Sequence, residues 1–169
     1  MILVDTGFLS SLYKVNRLEL IKEHFGVDHI VISNATFVEL SKTKFFTDIM
    51  QYITINKELL DEKRWILIKK SDIRIIDERL GDGEKEAISI ALVEKRRDAL
   101  LLIDDRTART VARHEGIMTA TLPEFLLDCK ESHSLSEAEL SDIIDLLERK
   151  DFYKFNRRVL MRLTGSLDC

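Results

Sequence analysis

The sequence predicts an α/β protein whose mainly parallel central sheet is covered by helices on both faces and followed by C-terminal helices. Short, wholly apolar runs at residues 2–4 and 99–103 are typical of strands that are buried on both faces. Amphipathic helical segments separate such runs. A repeated strand–helix–strand order favours right-handed connections between parallel strands of one sheet.

The elements of the first half follow from apolar spacing and capping residues. They are a strand at 2–4, a helix at 8–24, a strand at 29–32, a helix through Leu40 capped by Ser33 or Asn34, a helix at 45–60, and a strand at either 65–68 or 73–76. The sequence leaves the two positions of this third strand open.

The second half continues the alternation and ends in helices. Its elements are a turn at 81–83, a helix at 84–95, a strand at 99–103, a helix at 106–115 with Gly116 as its C-cap, a strand at 117–121, a short helix opened by Pro123, a helix at 136–148 and a helix at 151–163. We expect residues 1–131 to form the sheet domain. Residues 132–169 are then a helical extension packed on that domain.

Composition excludes several classes of protein. The 169 residues suit one compact domain that buries roughly 70% of the surface of the unfolded chain. A charged fraction of 33% with abundant aliphatic residues excludes general disorder. No apolar run reaches the ~18 residues of a membrane-spanning helix and no signal-peptide pattern is present, so we expect a cytoplasmic protein without membrane contact. Cys129 and Cys169 form neither a disulfide framework nor a metal-ligand spacing.

Carboxylates follow two of the predicted strands. Asp5 ends the first strand, and Asp104 and Asp105 end the strand at 99–103. Ligands of open α/β sheets bind beyond the carboxyl ends of strands, where the strand order reverses. Two carboxylate-ended strands therefore indicate a candidate metal site.

Helix phase adds two further acids. Glu84 precedes Ala87, Ile88 and Ala91 at helical spacing, so it lies in line with a buried stripe, whereas Glu86 is expected to be a solvated neighbour. Glu39 lies on the helix after the second strand. Taken alone, it is also compatible with a surface glutamate of an amphipathic helix.

These acids lie in motifs that resemble those of the PIN-domain nucleases, in particular VapC-like ribonucleases. The resemblance covers residues 1–121, with the acids in the same order and spacing. The matching segments are Val4-Asp5-Thr6-Gly7-Phe8-Leu9, Phe37-Val38-Glu39-Leu40, Glu84 to Ala91, and Leu101-Leu102-Ile103-Asp104-Asp105-Arg106 with Ala112 and Gly116 behind it. The family usually has Thr or Ser two residues before its last acid. Here Ile103 occupies that slot if Asp105 is the equivalent, so Asp104 and Asp105 both remain candidates.

The resemblance implies a three-layer α/β/α sandwich and Mg²⁺- or Mn²⁺-dependent hydrolysis of single-stranded RNA. The implied catalytic and metal-binding residues are Asp5, Glu39, Glu84, Asp104 and Asp105. Many members are toxins of toxin–antitoxin pairs, so an antitoxin protein and a homodimer are implied partners. Hard divalent cations prefer oxygen ligands, and such a centre needs no His or Ser nucleophile.

Four further residues are candidates for substrate contact. Arg106, Arg109 and Arg113 form one basic ridge that starts beside the acids and suits sequence-neutral phosphate binding, or alternatively a solvated face with ordinary ion pairs. Thr6 either fixes the orientation of Asp5 or touches a metal-bound water, or it caps the first helix. The alternative function of the whole chain is a non-catalytic PIN-like module that binds RNA or a protein.

Overall fold

The computed structural model describes residues 1–72, 77–94 and 98–165. Within them, six strands form one parallel sheet: β1 (Ile2–Val4), β2 (Ile30–Ser33), β3 (Ile53–Thr54), β4 (Ile66–Lys69), β5 (Leu100–Leu102) and β6 (Met118–Ala120). The order across the sheet is β3-β4-β2-β1-β5-β6, so β1 lies between β2 and β5. The predicted parallel α/β fold is confirmed.

Nine α-helices occur in the described residues. They are α1 (Thr6–Lys14), α2 (Leu20–Phe25), α3 (Asn34–Leu40), α4 (Phe46–Ile49), α5 (Asp82–Glu94), α6 (Arg106–His114), α7 (Leu122–Glu131), α8 (Glu137–Lys150) and α9 (Arg157–Thr164). Short 3₁₀ turns at Met50–Tyr52 and Lys57–Leu59 complete the connections.

Each face of the sheet has its own hydrophobic core. Val4 of β1 packs in a cluster with side chains of α1, α2, α7, α8 and α9. Leu3, one residue earlier, packs in a second cluster with Ile88 of α5 and Ala108 of α6. Successive strand side chains point to opposite faces, so the continuous apolar run of β1 supplies both cores. The result is the expected three-layer sandwich.

The first predicted helix, at 8–24, is wrong as a single element. The chain forms α1 and α2 instead, separated by Asn16 in the left-handed conformation with φ +55°. Asparagine is among the few residues that tolerate this region. Val15 and Leu18 are among the apolar residues whose spacing predicts one helix. They lie in the turn between α1 and α2, and their side chains are buried in the core.

The predicted helix at 45–60 is also wrong. Only α4 is α-helical there, and the β-branched residues of β3 pair with β4 at the edge of the sheet. The strand at 65–68 is confirmed as β4, whereas the alternative at 73–76 lies outside the described residues.

Two helix starts differ from the sequence prediction. Asp82 and Gly83 belong to the first turn of α5 rather than to a preceding turn. At the C-terminal end, α9 begins only at Arg157, because the chain after α8 passes through Phe152 in the left-handed conformation.

The C-terminal helices share the core of the sheet domain. Leu147 of α8 and Leu163 of α9 belong to the same cluster as Phe8 of α1 and Phe125 of α7. Helix α8 contacts α1, and α9 contacts α7. In the part of the chain that the structure describes, no helix has the length and apolar character needed to span a membrane.

Candidate active site

The acidic residues predicted from strand ends lie where the strand order reverses. From β1 the chain continues to β2 on one side and later enters β5 on the other side. The amide N–H of Asp5 donates to the carbonyl of Leu102 at 3.0 Å, which brings the ends of β1 and β5 together. Asp104 and Asp105 follow at the same edge. This is the position at which open α/β sheets bind ligands.

Asp5 lies in a negative environment. Its carboxylate caps α1 by accepting from the Gly7 N–H at 3.1 Å. Burial raises the pKa of Asp5 to about 6, and repulsion from the carboxylates of Glu84 and Glu39 adds to the rise, while the Gly7 N–H opposes it. Three carboxylates from separate parts of the chain therefore interact electrostatically at this site.

Glu39 is held by a neighbour of Asp5. The hydroxyl of Thr6 donates a hydrogen bond to the Glu39 carboxylate. Thr6 is the first residue of α1 and Asp5 is its N-cap, so the alternative that Thr6 caps the helix is wrong. The expected partner of Thr6 was Asp5 or a metal-bound water, and the structure shows its hydroxyl donating to Glu39 instead.

Two glycines make room for the glutamates. A Cβ atom at Gly83 would lie 3.2 Å from Glu39 Oε1, and one at Gly81 would lie 2.5 Å from Glu84 Oε2. A side chain at Gly81 would therefore displace the Glu84 carboxylate. The first turn of α5 can approach Glu39 and place Glu84 near Asp5 because both positions lack side chains.

Glu86 is not solvated, contrary to the sequence prediction. It is 5% exposed and accepts from the Ala35 N–H at 2.6 Å and the Ser71 N–H at 3.3 Å. It thereby satisfies the N-terminal end of α3. The sequence signal that indicates burial of Glu86 is Ile90, which lies one turn later on the same side of α5 and is also buried. This side is buried because α5 packs against α3 as well as against the sheet.

Asp104 and Asp105 have different surroundings. Asp105 is exposed, accepts from the Ala108 N–H at 2.7 Å and caps α6. Asp104 accepts from the Leu122 N–H at 2.8 Å, and the hydroxyl of Tyr153 lies near its carboxylate. Burial raises the pKa of Asp104, an effect that the Leu122 N–H and the Tyr153 hydroxyl oppose.

Tyr153 was not identified from the sequence. It lies between α8 and α9, in a segment predicted to be helical, and it reaches Asp104 from 49 positions further along the chain. No local pattern indicates such a contact. The proximity of Tyr153 to Asp104 links the C-terminal extension to the candidate site.

Two arginines of the predicted basic ridge lie close to a carboxylate of the protein itself. Arg109 Nη1 and Arg113 Nη2 lie 3.8 and 3.9 Å from the Glu124 carboxylate of α7. The Arg113 Nε donates to Thr119 Oγ1 at 2.7 Å. Arg106 is exposed beside Asp105. Glu124 thus neutralises part of the charge that was expected to meet phosphate.

Comparison with known families agrees with this arrangement. A family model described as a PIN domain matches residues 1–164. The chain belongs to the PIN-domain family. Neither the search of curated proteins nor the search of solved structures found a match. PIN domains are in general nuclease modules, and nucleic acid is the corresponding class of substrate.

The donor set of this PIN domain suits a hard divalent cation in its chemistry. Asp5, Glu39 and Glu84 are oxygen donors that repel one another, and a cation relieves such repulsion. In the described ranges, however, no three acidic, His or Cys side chains already converge on one point closely enough to hold an ion. Binding therefore requires these carboxylates to come closer together than they lie here.

Proposed function

We propose that the protein is a divalent-metal-dependent endoribonuclease that hydrolyses phosphodiester bonds of single-stranded RNA, with Mg²⁺ or Mn²⁺ as the cofactor. The observation that carries the proposal is the electrostatic contact of Asp5 with both Glu84 and Glu39 at the switch point of a PIN-domain sheet. Carboxylates are seldom brought together in this way without a compensating cation.

The side chains of the chain have distinct roles in this proposal. Asp5, Glu39, Glu84 and Asp105 are the ligands, and Thr6 orients Glu39 through its hydroxyl. Asp104, which is tied to Leu122 and Tyr153, positions the end of β5. The chemistry that a divalent cation supplies when bound is activation of a water and neutralisation of charge on the phosphate.

The test is cleavage of a labelled single-stranded RNA with Mg²⁺, with Mn²⁺ and with EDTA. Asp5→Asn keeps the size and the capping acceptor but removes the charge, so turnover and cation affinity should both collapse. Glu137→Gln is the matched control, an exposed acid in the first turn of α8. Cleavage by Asp5→Asn at the wild-type rate, in protein purified in parallel with the control, would disprove the assignment.

The cellular role that we propose is that of a toxin with an antitoxin protein as partner, acting as a homodimer. Induction of the wild-type chain should then arrest growth, and Asp5→Asn should not. Light scattering of the purified chain measures the oligomeric state. Growth arrest by both the wild-type chain and Asp5→Asn would show that toxicity does not depend on the proposed nuclease site.

A second candidate function is a non-catalytic module that binds RNA or a protein. It is favoured by the absence, among the described side chains, of three groups that already converge on an ion position. Titration calorimetry with Mn²⁺ distinguishes the two. Heat of binding that disappears in Asp5→Asn supports the nuclease, whereas no heat together with intact RNA binding supports the module.

A further inference from the structure

A cavity lies beside Asp104, on the side of the sheet that is covered by α7 and α9. It has a volume of about 330 Å³ and is bounded by α6, α7, α9 and the segment before α9. We call it the α7–α9 cavity. Its lining includes Asp104, Arg109, Leu127, Tyr153, Val159 and Arg162. A volume of this size is at the lower end of the range for small-ligand sites.

The cavity combines an apolar wall with two arginines and two carboxylates, those of Asp104 and Glu124. Leu127 and Val159 supply aliphatic surface, and Tyr153 supplies an aromatic ring. Arg109 and Arg162 line the same space. The ring and the arginines are the side chains through which the cavity could recognise a nucleotide, since bases stack on aromatic rings and guanidinium groups bind phosphate.

The guanidinium groups retain capacity to bind an anion. The Arg109 Nη1 is 3.8 Å from Glu124 and the Arg162 Nη2 is 4.0 Å from Glu131, distances longer than a hydrogen bond. In the described part of the chain, the buried Nε of Arg109 has no hydrogen-bond partner. A buried donor of this kind costs free energy unless a partner is supplied.

The cavity is adjacent to the proposed point of cleavage. Asp104 lines the cavity, and the next residue, Asp105, is one of the proposed metal ligands. Their Cα atoms are about 3.8 Å apart, as in any trans peptide. A strand of RNA that crosses the carboxyl edge of the sheet can therefore place consecutive nucleotides at the two positions.

We propose that the α7–α9 cavity binds one nucleotide of the RNA strand next to the scissile phosphate, with the base against Tyr153 and the aliphatic wall and the phosphate on Arg109 and Arg162. This proposal rests on the proposed nuclease function. The C-terminal segment then contributes to substrate selection, because Tyr153, Val159 and Arg162 all belong to it.

The first experiment measures binding without turnover. The full chain in EDTA is titrated with each of the four nucleoside 5′-monophosphates, with inorganic phosphate and with uridine, followed by NMR or calorimetry. We expect millimolar or tighter binding of at least one monophosphate, and binding of phosphate and of uridine that is at least about tenfold weaker. Equal affinity for phosphate and nucleotide would indicate a simple anion site and overturn the proposal, as would the absence of nucleotide binding.

Variants locate the binding. Arg162→Ala removes one phosphate contact and should weaken nucleotide binding about tenfold or more. Val159→Trp fills the cavity and should abolish binding. Arg149→Ala is the matched control, since it removes the same charge from an exposed position on α8 outside the cavity. Affinity unchanged in Arg162→Ala, relative to Arg149→Ala, would contradict the proposal even if Val159→Trp failed to fold.

Cleavage kinetics separate this proposal from the proposed function. Arg162→Ala should raise KM for RNA at least about tenfold and leave kcat nearly unchanged, because this contact is made equally in the ground and transition states. RNA cleavage without nucleotide binding would disprove the cavity proposal and leave the nuclease. Nucleotide binding without metal-dependent cleavage would disprove the nuclease and leave the cavity as a nucleotide site.

Discussion

The hydroxyl of Thr6 donates a hydrogen bond to the carboxylate of Glu39, although the two residues are 33 positions apart. Thr6 follows Asp5 directly, so this bond couples the end of β1 to α3. The same Glu39 carboxylate lies against Gly83 at the start of α5. One glutamate thus joins three elements of the candidate site.

Removal of this hydroxyl should reduce activity without unfolding the protein. Thr6→Val keeps the shape of the side chain but releases Glu39, and we expect turnover to fall about 10- to 100-fold, the usual effect of losing a partner of a metal ligand. Thr6→Ser should restore most of the rate. Steady-state cleavage and Mn²⁺ titration measure both effects. A Thr6→Val enzyme with the wild-type rate would show that Glu39 does not depend on this bond.

Asp5→Asn should stabilise the metal-free protein at neutral pH. Because the pKa of Asp5 is raised from 3.8 to about 6, the folded state binds more protons than the unfolded state between these values. The free energy of unfolding contributed by Asp5 therefore falls as pH rises through this window, by at most about 3 kcal/mol. Urea unfolding in EDTA should show a gain for Asp5→Asn at pH 7.5 that disappears below pH 4. An equal difference at both pH values would contradict it.

Asp104 and Asp105 should respond differently to the loss of charge. Asparagine at either position keeps the hydrogen-bond acceptor, so both variants should fold like the wild-type protein. Asp105→Asn should abolish cleavage, because we propose Asp105 as a ligand together with Asp5 and Glu84. Asp104→Asn should cost about tenfold or less, since Asp104 is engaged with Leu122 and Tyr153. Cleavage rates at saturating cation measure both, and the opposite ranking would exchange their roles.

The salt dependence of RNA binding tests the basic ridge. If Arg109 and Arg113 contact phosphate, Arg109→Ala/Arg113→Ala should reduce the slope of log affinity against log salt by about 1.4, or about 0.7 for each contact. Glu124→Gln keeps the α7 capping box and frees both arginines, so it should steepen the slope. The exposed pair Arg149→Ala/Lys150→Ala is the control. Identical slopes in all four proteins would assign the ridge to the solvated surface.

The C-terminal extension should unfold together with residues 1–131. Leu147 is fully buried in the cluster that contains Phe8, and Leu147→Ala should cost about 2–5 kcal/mol. Leu146→Ala, at a half-buried neighbouring position, should cost less. Denaturant unfolding followed by circular dichroism and by the fluorescence of Trp65 should give one transition. Two separate transitions would make the extension an independent unit.

The sequence determined the parallel sheet and the acids at its carboxyl edge. Buried parallel strands are short and wholly apolar, as at β1 and β5, so they can be recognised without knowledge of their neighbours. A carboxylate that follows such a strand has its location fixed by the strand itself. Asp5, Asp104 and Asp105 were therefore assigned to one edge from local information alone.

Only the tertiary structure decided how these acids are used. Contacts such as Thr6 with Glu39, Ala35 with Glu86 and Asp104 with Tyr153 join elements that are distant in the chain. Helix phase could not separate Glu84 from Glu86, because α5 is buried on two sides and both positions face protein. Local periodicity reports only that a face is apolar. The direction of each carboxylate depends on which backbone N–H or hydroxyl group of another element lies opposite it.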